Sequence, residues 1–239
     1  MVPQGLRTML VQISKDDIGD IKGLLIEEWL LDDLQMHLSE RVLKSLRNGS
    51  AVLQIKARVG ASGKIVIDNF RGKIALSVHG GSIDVQIGKC GKLRISVDMY
   101  GPALLNIGSK TTINSATIAI ASGGVTIGQD CMLSHEIHLQ SCDQHGIVDL
   151  DTEKIINKKR TIKIGDHVWI GRRVTVVPGV EIASGSILAI GAVVSRSVLG
   201  CTIVAGNPAK VVRSGVSWSR ELLSVDEASA IFMDTVRTP

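Results

Sequence analysis

Between residues 164 and 199 a branched aliphatic residue stands at every sixth position: Ile164, Ile170, Val176, Ile182, Leu188 and Val194. The next residue in each case is small, Val177 excepted. Four positions after each aliphatic comes another small or β-branched residue: Val168, Val174, Val180, Ser186, Ala192 and Val198. A period of six suits neither an amphipathic helix nor an alternating strand. It is the period of a short strand, a turn and a short strand again, the hexapeptide repeat of a β-solenoid. The pattern predicts an all-β coil whose turns hold three hexads, about 18 residues.

Followed towards the N-terminus, the beat reappears at Ala121, Ile127, Leu133 and Leu139, with Val125, Cys131, Ile137 and Asp143 at the matching fifth positions. It slips by about two residues near Gly123-Gly124 and is visible again at Ile107-Gly108 and Ile113. The slot after Leu139 falls on His145, and the pattern then lapses until Ile164. A stretch of roughly 17 residues, 145–161, is therefore predicted to leave the coil as a loop, and long loops on a regular scaffold usually carry function. From Ala51 to about Asn106, runs such as Ile65-Val66-Ile67, Ile74-Ala75-Leu76, Ile83-Asp84-Val85 and Leu93-Arg94-Ile95 alternate with Gly or charged turns and read as strands. Their six-residue register is loose. They are assigned to irregular early coils of the same solenoid, a separate small β domain being the alternative.

The two ends read as helical. Leu31, Leu34, Leu38, Val42 and Leu46 form an apolar stripe opposite Asp32, Asp33, Glu40, Arg41 and Lys44, predicting a helix from about 17 to 47. Asn48-Gly49 would stop it, and it would cover the unpaired edge of the first coil. Pro208 ends the regular coil, since it cannot donate to a ladder. Ser224-Val225-Asp226-Glu227, a capping-box pattern, precedes Ala228, Ile231 and Phe232 and predicts a closing helix. The expected organisation is an N-terminal helical cap (1–50), the coil (51–213) and a C-terminal helical tail (214–239).

Composition narrows the class. The 239 residues are 44% hydrophobic but only 3% aromatic, which suits narrow stacked layers of Ile, Val, Leu and Ala. The 25 glycines against 5 prolines indicate tight turns. The net charge of +4 is scattered apart from Lys158-Lys159-Arg160, so no nucleic-acid face is expected, although that triplet could attract an anionic ligand. Cys90, Cys131, Cys142 and Cys201 lack metal-ligand spacing and read as free thiols of a reducing compartment. Charges at Lys15, Asp16, Asp17, Asp20 and Lys22 rule out a signal-peptide core in this stretch, and no uncharged run is long enough to span a bilayer. A cytoplasmic protein is expected.

His145 is the candidate catalytic residue. A titratable imidazole occupies a slot where the repeat asks for an aliphatic, and imidazole is the usual general base near neutral pH. Asp143, two residues away, could fix its tautomer. The rival use of imidazole here is a metal site drawn from His135, His138, His145 and His167. Their spacing on an 18-residue turn aims them from different faces, so no metal is expected. No GxSxG or Walker-type loop is present.

The motifs IGQDCMLS (127–134), SCDQHGI (141–147), IIN (155–157), IGDHVWIG (164–171), GSILAIGAVV (185–194) and AGNPAKVVR (205–213) together resemble the hexapeptide-repeat acyltransferases. The closer resemblance is to the sugar and polysaccharide O-acetyltransferases related to maltose, galactoside and xenobiotic acetyltransferases. It implies a left-handed parallel β-helix, a homotrimer with sites between subunits, and acetyl-CoA lying along the coil as acyl donor. It also implies that His145 removes the proton of a sugar hydroxyl, which attacks the thioester directly. Carried over by position, Trp169 would shape the cleft beside the cofactor and the small Gly191-Ala192 segment would admit the pantetheine arm. Lys210 and Arg213 would pair with the nucleotide phosphates. Gly171, a turn glycine of the repeat, is grouped with these cofactor-binding positions. Cys142 and Gln144 flank Asp143 where Ser and a small residue are commoner in the family, and Leu199-Gly200-Cys201 replaces a proline-containing turn. A non-catalytic β-helix scaffold and a metal-dependent hydratase stand as the alternative functions.

Overall fold

The structure is a computed structural model that describes residues 10–14, 20–26, 34–157 and 160–237. It forms a parallel β-solenoid of about 7 turns. The N-terminal elements are β1 (Leu10–Gln12), β2 (Leu24–Ile26), β3 (Leu34–Ser39), α1 (Glu40–Arg47) and β4 (Ala51–Ala57). Three long strands then run through several corners of the coil: β5 (Ala61–Val78), β6 (Gly81–Ile107) and β7 (Thr112–Ile127). Short strands follow, β8 (Met132–Leu133), β9 (Ile137–Gln140), β10 (Ile162–Ile164), β11 (Trp169–Ile170), β12 (Thr175–Val176), β13 (Glu181–Ile182), β14 (Ile187–Leu188) and β15 (Val193–Val194). The chain closes with β16 (Thr202–Ala205), β17 (Lys210–Ser214) and α2 (Glu227–Arg237). All the strands belong to one continuous sheet. The early runs are therefore coils of the solenoid and not a separate domain.

Each turn stacks like residue on like. On the first face Ile55, Leu76, Val97, Ile118, Leu139, Val176 and Val194 are in register and buried. On the second, Ile107, Ile127, Ile164 and Ile182 align, and on the third Leu93, Ile113, Leu133, Ile170, Leu188 and Val204 do so. Both residue sets of the six-residue beat, from Ile164 and from Val168 onward, point into this core. Burying such side chains is worth roughly 1.5–3 kcal/mol each before conformational entropy is charged against it.

The turns differ in length. Ile164 lies opposite Ile182 and Val176 opposite Val194, steps of 18 residues. In the earlier coils Leu53 lies opposite Ile74 and Ile65 opposite Val85, steps of 21 and 20. Between the two regimes Ile127 pairs with Ile164, a step of 37, because one turn carries the extruded loop.

The predicted helix from 17 to 47 does not form as such. Among the described residues of that stretch, Leu24–Ile26 and Leu34–Ser39 are strands and only Glu40–Arg47 is helical; 17–19 and 27–33 lie outside the described residues. Leu34 and Leu38, four apart, satisfy a strand's period of two as well as a helix's 3.6. Leu34, Met36 and Leu38 all point inward, and β3 finds a parallel partner in Gly63–Ile67. Helix α1 starts where Ser39 Oγ accepts from the Val42 N–H and stops at Asn48, with Gly49 in the left-handed region. It buries Val42, Leu43 and Leu46 against the neighbouring coils.

The C-terminal helix forms as expected, but its cap is Asp226 in place of Ser224. The Asp226 carboxylate accepts from the Ser229 N–H at 2.9 Å and from the Ser219 hydroxyl at 2.7 Å. Burial works to raise the Asp226 pKa, yet the hydrogen bonds from Ser229, Ser219 and the Arg220 N–H outweigh it and hold the carboxyl well below the usual range. Helix α2 lies along a flank of the coil, not over its end. There the His167 ring is sandwiched between Trp218 and Phe232, with centroids 4.4 and 4.6 Å away. Arg220 completes the clasp by donating to Asp130 at 3.0 Å. No helix among the described residues is long and apolar enough to cross a membrane.

Candidate active site

The chain leaves the coil just after Ser141 and returns at Arg160, whose N–H donates to the Ser141 carbonyl at 3.2 Å. Departure thus comes a few residues earlier than the sequence pattern suggests, and Cys142 is still buried beneath the corner. The loop has structure of its own. Val148 and Ile155 form an antiparallel bridge, and the Ile156 N–H donates to the Ile147 carbonyl at 2.9 Å. Asp149 closes the tip by accepting from the Thr152 N–H and hydroxyl at 2.8 and 2.7 Å, bonds that hold its carboxyl below the usual range.

Where this hairpin folds back on the coil, Tyr100, Ala121, Cys142, Asp143, His145 and Asn157 enclose a cleft of about 550 Å³. His145 is exposed there, and its ring makes no hydrogen bond among the described residues. Its backbone, however, is fixed. Asn157 Nδ2 donates to the His145 carbonyl at 2.7 Å and to Asp143 Oδ2 at 2.9 Å, while Asn157 Oδ1 accepts from the Ile147 N–H at 2.7 Å. One amide thus straps together both sides of the loop. The expected Asp143–His145 pairing is not made: the Asp143 carboxylate is engaged by Asn157. What remains is an imidazole with free nitrogens, facing a cleft of about 550 Å³, on a backbone held by side-chain hydrogen bonds. That arrangement can accept a proton from a bound hydroxyl.

The positions grouped for the cofactor lie elsewhere on the chain. Trp169 is half-exposed on the third face, next to Trp218 at 6.3 Å between centroids. It sits in a row that runs Met132, Trp169, Ile187, Ile203 and Arg213, in which Ile187 is buried. Lys210 and Arg213 are exposed on β17. Gly191 adopts the left-handed region with open space where a Cβ would be. The Ala192 methyl is buried in the core, so only its backbone faces outward. Gly171 is required by packing, since a Cβ there would meet the Ile190 nitrogen at 2.8 Å.

The histidines weighed as metal ligands are dispersed. His167 is buried, with Nδ1 2.8 Å from Asp130 and Nε2 3.1 Å from the Trp218 carbonyl, so it locks the tail. His138 faces outward on the first face, in register with Thr175. Burial pushes the Cys90 and Cys131 thiols up to about 12, which makes them poor ligands and nucleophiles. Among the described residues no three His, Cys, Asp or Glu side chains are grouped to hold a metal ion.

Two features were not singled out from the sequence. Asn157 was visible only as the last residue of the IIN motif. Tyr100, the chain's single tyrosine, stands 21 residues after His79 and 21 before Ala121, a spacing that stacks all three on one corner.

No protein-family model matches the chain. It is similar to the polysialic acid O-acetyltransferase of Escherichia coli O1:K1, at 33% identity over 148 residues, covering 60% of this chain and 48% of that protein. It is also 33% identical over 123 residues to the polysialic acid O-acetyltransferase of Neisseria meningitidis, covering 51% of this chain and 54% of that one. The chain thus spans about half the length of the curated relatives it matches. Among solved structures, the polySia specific acetyltransferase NeuO superposes with a TM-score of 0.60 at 23% identity, covering 90% of this chain and 99% of that one. This likeness shows the fold, a left-handed parallel β-helix.

Proposed function

We propose that the protein is an acetyl-CoA-dependent O-acetyltransferase acting on a hydroxyl of a glycan. The observation that carries the reading is the exposed imidazole of His145 in the cleft, on a backbone whose carbonyl Asn157 holds. The fold and the similarity to polysialic acid O-acetyltransferases point the same way. His145 accepts the proton of the acceptor hydroxyl as the oxygen bonds to the thioester carbonyl carbon. The carbon–sulfur bond then breaks, and the proton passes to the departing CoA thiolate, giving an acetyl ester and free CoA. Preorganised backbone N–H groups hold the developing oxyanion.

Acetyl-CoA lies along the third face. Trp169 stands beside the reacting end, the pantetheine arm passes the backbone of Gly171, Gly191 and Ala192, and Lys210 and Arg213 meet the phosphates. The placing of half-exposed Trp169 and exposed Arg213 in one row of that face supports such a track. His145 projects from the corner between the first and second faces, so a second copy must bring its third face to this loop. A homotrimer does so, and the loop's exposed apolar residues, Ile147, Val148, Leu150 and Ile155, suit burial against a neighbour. Four unpaired cysteines fit a cytoplasmic location.

The test is release of CoA thiol from acetyl-CoA in the presence of oligosialic acid and of neutral oligosaccharides. His145→Ala is expected to abolish release while leaving the trimer and CoA binding intact. Near-full turnover by that variant would remove His145 from the mechanism. A wild-type trimer that fails to bind CoA in calorimetry would favour the scaffold reading.

A further inference from the structure

The corner of the coil that faces the catalytic loop carries a column of side chains, one per turn. His79, Tyr100 and Ala121 follow one another in it, since Val78 is in register with Met99 and Tyr100 with Ala121. The His79 and Tyr100 rings are stacked, 4.2 Å between centroids and 6° from parallel. His79 Nε2 lies 3.4 Å from Asp98 Oδ1, which fixes the lower ring. One face of Tyr100 is thus covered by imidazole. The tyrosine nevertheless remains 39% exposed and lines the cleft that contains His145.

Above Tyr100 the column is interrupted. Ala121 supplies only a methyl group, itself buried at 8% exposure, and lines the same cleft as Tyr100. The spacing of neighbouring strands, roughly 4.8 Å, is close to the stacking distance of flat rings. The cleft over Tyr100 is bounded on its other side by the loop that holds His145. A pyranose presents a face of C–H bonds with hydroxyls around its rim. Laid on an aromatic ring, it keeps those hydroxyls at the edge, where an imidazole in the adjoining wall can reach one.

We propose that the acceptor's sugar ring stacks on the exposed part of Tyr100 within the cleft, beside Ala121, with His79 and Asp98 as positioning residues that hold the tyrosine flat. This deepens, and rests on, the reading of His145 as the base for a glycan hydroxyl. It assigns acceptor recognition to the irregular early coils, which the resemblance does not cover.

Binding separates the two ideas. Saturation-transfer NMR and titration with oligosialic acid and a linear neutral hexose oligomer are run on wild type, Tyr100→Ala, Tyr100→Phe and Ala121→Leu. At least one oligomer is expected to bind wild type and Tyr100→Phe alike. Tyr100→Ala, which removes the platform, and Ala121→Leu, which narrows the cleft beside it, are each expected to weaken binding about tenfold while leaving acetyl-CoA affinity unchanged. In turnover the same two variants should raise the acceptor KM with kcat nearly constant, and His79→Ala should produce a smaller rise in KM alone. Unchanged oligomer affinity in Tyr100→Ala, or failure of wild type to bind either oligomer, overturns the proposal. Oligomer binding that depends on Tyr100 without any thiol release would instead sink the transferase reading and leave the sugar platform standing.

Discussion

Residues 162–198 and residues 51–141 build the same coil with different amounts of chain. In the later part a turn takes 18 residues, shortening to 16 at the last, and each hexad contributes a strand of two or three residues and a tight corner. In the earlier part a turn takes 20 or 21, and the strands run through the corners with register shifts between Asn69 and Arg71, Leu93 and Ile95, and Tyr100 and Ala103. An 18-residue turn has nothing to spare: nearly every residue is core, corner or ladder. Two or three extra residues per turn let a corner push side chains outward without disturbing the core, and this is how His79 and Tyr100 come to stand proud. The regular half supplies a rigid wall. The irregular half supplies shape, and the candidate site lies at their junction, where one step swells to 37.

The strongest way to break this comparison is to remove the junction. The loop's ends meet at the Ser141–Arg160 hydrogen bond, so residues 143–159 can be excised and the gap closed with a short Gly-Ser link. Acetyl transfer is expected to disappear, while thermal unfolding moves by only a few degrees, because no core residue is lost. Collapse of the fold would show that the loop supports the coil. Next come the corners. Gly171→Ala drives a methyl to 2.8 Å from the Ile190 nitrogen and should cost about 2 kcal/mol in denaturant unfolding. Gly123→Ala, in a longer turn, meets nothing nearer than 3.8 Å and should be neutral to within about 0.5 kcal/mol. Equal costs would show that the contact with the Ile190 nitrogen does not set the penalty at Gly171.

A smaller effect is expected at the strap. Asn157→Ala frees the His145 and Ile147 backbone and should lower turnover roughly tenfold, with faster proteolysis of the loop. Asp143→Ala, which removes only one of the strap's partners, should do less. The least of the four concerns the clasp by which the C-terminal tail joins Asp130 of the long turns to His167 of the short ones. The folded Asp226 carboxyl has its pKa lowered, so its stabilisation is complete above the unfolded value, about 4, and is lost as pH falls towards the native one. Limited proteolysis should show the wild-type tail loosening below about pH 4, and Asp226→Ala loosened by about 1 kcal/mol at neutral pH.

The later coils were legible because 18 is a multiple of six, and the loop because it interrupts that beat at His145. The earlier coils kept no such beat: 20 and 21 share no short divisor with each other, so only the alternation inside each strand survived. Leu34 and Leu38 misled for a different reason, since residues four apart suit both a strand and a helix. At the site, the free imidazole could be anticipated from one position. Its support could not, because Asn157 lies 12 residues from His145 and meets it through a backbone carbonyl, which leaves no mark on side-chain pattern. The His79–Tyr100 stack was hidden likewise, its spacing meaning nothing until the length of an early turn was known.

A stack of identical rungs has no intrinsic reason to stop: any further copy offering another rung could dock on an open edge and be templated into a fibre. Two of the short strands act as punctuation against this. β1 runs antiparallel on β3 near the start, and β17 runs antiparallel on β16 near the finish. With β5 on one side of β3 and β14 on one side of β16, these reversed strands occupy the remaining edges where a further rung would pair. A further copy that docked on β3 or β16 would first have to displace a strand of the same chain.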